Sequence, residues 1–241
     1  MLAIDGPGQS EAAVRGLFTS PESWVEAGTA ILAWISGRPE LDADRIVGTG
    51  ISFGWYFMSL VAATHPEFKG CAVALQCFEP GGHAIFEQQA PSYKARHMWM
   101  AGLERDEDAF DRMVTGYDLR GPIAGMSAPW KVFGGEADEL CDKAWVYEMA
   151  DRSPAPASSL LYEGATHSLG GSPAARLWGY SVDRTFAGQT ALQGRFARGR
   201  SGLGGWPGEE GGLGGTRFGC GSATRSRERT GACATASSRT R

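Results

Sequence analysis

The feature that most constrains this chain is the passage from residue 45 to residue 63, "RIVGTGISFGWYFMSLVAA". A short β-branched apolar run meets Gly50-Ile51-Ser52-Phe53-Gly54, and a second, longer apolar run follows at once. The first run has the length of a buried strand and the second that of a buried helix. A strand that passes into a helix through a glycine-flanked turn is the building unit of a parallel α/β sheet. The same turn is a G-x-S-x-G, in which flanking glycines allow a tight bend that lifts the serine hydroxyl above the strand ends. Two readings of Ser52 follow: a nucleophile held on a strained turn, or a passenger serine in a β-to-α turn.

The alternation continues along the chain. The apolar run at residues 2–4 reads as a strand ending at Asp5, and "DGPGQSEA" as a Gly/Pro loop. Ser20 and Pro21 suit the N-cap and first position of a helix in which Trp24, Val25, Ile31, Leu32 and Ile35 share a face, and Gly37 closes it. Strands are predicted at 45–49, 71–75, 130–133 and 158–162. Helices are predicted at 56–63, 92–103, from Asp106, at 142–149 and at 173–186. In the helix from Asp106, Phe110, Met113, Val114 and Tyr117 recur at helical spacing. The fold class expected is α/β: a mostly parallel sheet with helices on both faces. Residues 1–186 read as one partial domain, with 78–127 a helical insert that lines a pocket.

Residues 187–241 carry no such periodicity. They are rich in Gly, Arg, Ser and Thr, and the expectation is a low-complexity, disordered tail. Its composition resembles a GC-rich coding region translated out of frame. From Ala187 on there are nine Arg against three acids, a balance of +6 that leaves −10 on the body of a chain whose net charge is −4. With no lysine and almost no interleaved aromatics the arginines do not form a nucleic-acid footprint, so no nucleic-acid partner is expected. No run of eighteen apolar residues and no basic-then-apolar leader is present, so neither a membrane span nor a signal peptide is read. The five cysteines are scattered, with no CxxC pair, which points to free thiols, a cytoplasmic setting and no structural zinc.

Chemistry in a parallel sheet gathers at the carboxyl ends of its strands. Three residues lie there in the order Ser, Asp, His: Ser52, then Asp138 in "VFGGEADEL", then His167 in "LLYEGATHSLGG". A serine hydroxyl needs an imidazole to take its proton, and the imidazole needs a carboxylate to fix its tautomer. The backbone N–H of Phe53, at a helix N-terminus, is the expected donor to an oxyanion. Asp138 has rivals in Glu136 and Glu139, and is preferred because it lies four residues after Gly134 in a G-x-x-x-D-x-L frame. His167 is preferred over His65, His83 and His97 because it alone follows a late strand and a small-residue loop.

The segments "DGPGQSEA", "RIVGTGISFGWYF", "GGEADEL" and "LLYEGATH" resemble the α/β-hydrolase superfamily, and within it the branch of 2,6-dihydroxypseudooxynicotine hydrolase, FrsA-like esterases and polyketide-shortening hydrolases. The resemblance covers about residues 1–186. It implies Ser52 as nucleophile, Asp138 as acid and His167 as base, acting without cofactor on an ester or on a C–C bond beside a ketone. The partner implied is a small-molecule substrate; homo-oligomerisation is left open. The alternatives are a non-catalytic remnant and an acyltransferase using the same triad. Ser10 and Trp55 stand where the branch has glycine, so the Trp55 side chain must find space. In that family three strands precede the one that ends at Asp5, together with a loop that donates a second oxyanion N–H. The expectation is therefore a chain truncated at its start. Phe86, Tyr93, His97, Met98 and Trp99 are candidates for the pocket or for helical core packing.

Overall fold

The computed structural model describes residues 2–169 except 78 and 88. The helix foreseen at 173–186 and the tail from 187 lie outside the described residues. The first elements are the short helix α1 (Ser10–Val14) and the longer α2 (Pro21–Ser36). The Ser20 hydroxyl accepts from the Ser23 N–H, and the Ser23 hydroxyl accepts in turn from the Ser20 N–H. This reciprocal cap explains why α2 starts where it does. Trp24, Gly28, Leu32 and Ile35 form its buried stripe.

Strand β1 (Ile46–Ile51) leads through Ser52 into α3 (Phe53–Thr64), and β2 (Phe68–Ala74) follows. The connection to the next strand is helical: α4 (His83–Phe86), α5 (Pro91–Met100), α6 (Glu107–Val114) and a 3-10 turn at Pro122–Gly125. Strand β3 (Trp130–Gly135), α7 (Lys143–Arg152) and β4 (Ala157–Tyr162) complete the described chain. The four strands lie in the order β1-β2-β3-β4, every pair parallel.

Alternate residues of β2 divide the core. Cys71 and Val73 join the main cluster with Phe57, Leu60 and Val61 of α3, Val132 of β3, and Val146 and Met149 of α7. Ala72 and Ala74 face the other way, with Phe133 and Leu160. Thus α3 and α7 cover the same face of the sheet. Trp55 solves its space problem by complete burial against Trp130, their rings 6.0 Å apart. Its indole N–H has no hydrogen-bond partner among the described residues, whereas that of Trp130 donates to Ser59 at 3.0 Å.

One expected strand does not form. Residues 2–5 have no regular structure, and among the described residues they pair with no strand and β1 has a ladder on one side only. An extended run without a neighbour to take its N–H and C=O groups gains nothing from being a strand. Leu2 and Ile4 instead border a shallow apolar hollow of about 290 Å³ with Ala30, Ile31 and Trp34.

Candidate active site

Ser52 sits between β1 and α3 at φ 55° and ψ −116°. Few non-glycine residues occupy that region, and such strain persists only where the surroundings impose it. Here they do. The Ser52 N–H donates to the Ala74 carbonyl of β2 at 2.9 Å, and the Ser52 carbonyl accepts from the Trp55 N–H at 2.7 Å. A Cβ on Gly50 would run into the Gly54 carbonyl, so position 50 must be glycine for the bend to close. Position 54 is different: a Cβ there meets nothing. Of the two flanking glycines read as allowing the tight bend, sterics require Gly50 and not Gly54. Phe53 is the first residue of α3, where N–H groups point out of the helix end.

The Ser52 hydroxyl lies 2.8 Å from His167 Nε2. His167 Nδ1 lies 2.9 Å from Asp138 Oδ2 and 3.2 Å from Oδ1. The Asp138 side chain is wholly shielded from solvent, and its Oδ1 also accepts from the Leu140 N–H at 2.9 Å. A carboxylate on Nδ1 requires the proton there, which leaves Nε2 as acceptor for the serine proton. Three residues far apart in sequence thus form one hydrogen-bonded relay across the carboxyl ends of β1, β3 and β4.

The rival acids have other work. Glu136 pairs with Lys143 at 3.2 Å. Glu139 accepts the backbone N–H of His167 at 3.0 Å, so adjacent carboxylates hold the ring and the backbone of the same histidine. That tether was not legible in sequence, because it spans 28 residues and Glu139 reads equally well as a helix-terminal acid. Burial opposes its ionisation, but the His167 N–H and the nearby imidazole outweigh that and hold the Glu139 carboxyl below its ordinary range.

The rival histidines lie elsewhere. His65 is buried behind α3, bonded to the Val61 carbonyl at 2.8 Å and to Thr29 at 3.0 Å. His83 pairs with Glu87 on the surface. His97 stacks on Phe53 with ring centroids 4.2 Å apart and meets Phe86 edge-on. Its Nδ1 lies 2.7 Å from the Tyr93 carbonyl, and burial pushes its pKa down to about 4. Of the pocket candidates, Phe86, His97 and Met98 are buried and Tyr93 is half-buried, whereas Trp99 is 42% exposed. Trp99 points to solvent because it falls on the face of α5 away from the core. Among the described residues no group of three or more metal-ligating side chains converges.

No family profile matches the sequence, and no curated protein does. Solved structures do. Against 2,6-dihydroxy-pseudo-oxynicotine hydrolase the TM-score is 0.61 at 19% identity, over 76% of this chain and 52% of that one. The fold is that of the α/β-hydrolases. A structure described as AbyA5 matches at TM-score 0.55 and 17% identity, over 71% of this chain and 51% of that one. An acetyl xylan esterase from Paenibacillus sp. R4 matches at 0.52 and 16%, over 68% and 52%. The chain therefore spans about half the length of these α/β-hydrolase structures. Hydrolases, esterases and peptidases share this fold, so its likeness carries no substrate with it.

Proposed function

We propose that this chain is a serine hydrolase in which Ser52 attacks a carbonyl carbon, His167 moves the proton and Asp138 holds His167. The observation that carries this reading is the unbroken relay from Ser52 Oγ to His167 Nε2 at 2.8 Å and from His167 Nδ1 to Asp138 Oδ2 at 2.9 Å. As Ser52 Oγ bonds to the substrate carbon, its proton passes to Nε2, and the carbonyl oxygen becomes an oxyanion. The Phe53 N–H, at the start of α3, stabilises that charge; removing one such donor typically costs about 2.7–4 kcal/mol of transition-state stabilisation. His167 then gives the proton to the departing group, and water repeats the sequence to release the acid.

The substrate class is an ester or a C–C bond next to a ketone. In the second case the departing group leaves as an enolate and takes its proton from His167. Two of the buried thiols are poor rivals to Ser52: burial pushes Cys71 up to about 12 and raises Cys141 well above the ordinary thiol range. Free buried thiols at Cys71, Cys77 and Cys141 also fit a reducing, cytoplasmic setting. Among the described residues no helix is long and apolar enough to cross a membrane.

The test is turnover of a panel of activated esters and β-diketones by the purified chain and by Ser52→Ala. Hydrolysis that disappears in Ser52→Ala supports the reading; turnover equal in both proteins contradicts it. A product esterified to an added alcohol would assign acyl transfer instead. A folded chain inert on the whole panel would favour a non-catalytic role.

A further inference from the structure

The ladder between β2 and β3 ends at Ala74 opposite Phe133. The Leu75 N–H still donates to the Phe133 carbonyl at 2.7 Å, but Leu75 has φ 58° and turns the backbone out of the sheet. Beyond Leu75 the Gln76 side chain reaches β3: its Nε2 donates to the Gly135 carbonyl at 2.6 Å. The acceptor is a carbonyl, so the group facing it must be the amide NH2.

Gln76 is fully buried, and its Oε1 has no partner among the described residues. An apolar side chain of the same length would remove this unpaired acceptor but would leave the Gly135 carbonyl without its donor, so the two effects on stability oppose each other. The sequence around it is fitted to the contact. A Cβ on Gly134 would strike Gln76 Oε1, and one on Gly135 would strike the Ala165 carbonyl in the loop that carries His167.

Residues 74–76 thus touch both halves of the relay. The Ala74 carbonyl holds the Ser52 N–H, and Gln76 holds the last residue of β3, three positions before Asp138. Beyond Gly135, the Glu136 N–H donates to the Tyr162 carbonyl and the Ala137 N–H to the Ala165 carbonyl, each at 3.0 Å. We propose that Gln76 is a positioning residue, whose side chain fixes the end of β3 so that Asp138 and His167 stay in register with Ser52. This rests on the Ser52–His167–Asp138 reading. Small displacements of a reacting group are costly: about 1 Å can cost on the order of a hundredfold in rate.

The experiment compares Gln76→Met with the unmutated chain in three readouts: urea midpoint, rate of reaction with a fluorophosphonate, and the proton resonance of the Asp138–His167 hydrogen bond, assigned by its loss in Asp138→Ala. The expected result is a midpoint little changed, a reaction rate per folded molecule lower by about tenfold or more, and a shifted or broadened resonance. A lowered midpoint with an unchanged rate per folded molecule and an unchanged resonance would overturn the proposal and make Gln76 a packing residue. If the unmutated chain does not react, the nucleophile reading fails, and the resonance alone decides for or against Gln76. If Gln76→Met does not fold, the Gln76 side-chain amide protons of the unmutated protein serve. Protection from exchange comparable to β3 supports the bond, and exchange as fast as that of exposed glutamines overturns it.

Discussion

The site can be tested residue by residue at Gly50 and Gly54, which look equivalent in sequence and differ in space. Gly50→Ala places a methyl group against the Gly54 carbonyl. It should destabilise the fold by about 1–3 kcal/mol and displace Ser52, as urea unfolding and the rate of reaction with a fluorophosphonate would show. Gly54→Ala meets open space within α3, and should be neutral or stabilising by up to about 1 kcal/mol. Glu139 gives a second pair. Glu139→Gln keeps an acceptor for the His167 N–H, while Glu139→Ala removes it, so the alanine variant should lose several-fold more activity than the glutamine one. The Glu139 carboxyl is held below its ordinary range. The tether is therefore complete above the ordinary carboxylate range and is lost as pH falls through the lowered value, a loss that the activity profile of the unmutated chain should show and that of Glu139→Gln should not. At this scale the sequence was legible where order and spacing sufficed, as with Ser52, Asp138 and His167. Glu139 and Gln76 were not legible, because each acts on a carbonyl or N–H that only the fold brings near.

Elements show the same division. The helix α6 was legible because its apolar residues fall strictly on one stripe, and Asp106 caps it by accepting from the Ala109 N–H at 2.8 Å. The short α1 and α4 were not, since one helical turn leaves no periodicity to read. Residues 2–4 have strand composition but no partner strand among the described residues, and composition cannot announce that absence. Two tests belong here. Ser20→Ala removes half of the reciprocal cap of α2 and should cost about 1 kcal/mol in a urea titration. His97, on α5, is neutral when folded because burial pushes its pKa from 6.5 to about 4. Between those values the unfolded chain binds the extra proton. Stability should then fall as pH drops from about 6.5 to about 4, by up to about 3 kcal/mol. A His97→Phe variant should lose that part of the slope, measured as the urea midpoint against pH.

Across the whole molecule, the four parallel strands bring residues 52, 138 and 167 to one end of the sheet. The central strands β2 and β3 carry its driest residues: Cys71, Val73, Val132 and Phe133 are all fully buried. Their amides should exchange with solvent most slowly, and those of β1, which has one unpaired edge among the described residues, faster. The most direct measurement of the central claim is covalent labelling of the folded chain by a fluorophosphonate, read by intact mass, beside Ser52→Ala and a heat-denatured sample. One adduct is expected, placed on Ser52 by peptide mapping and absent from both controls. A folded chain that takes up no probe, or one labelled equally after Ser52→Ala, would contradict it.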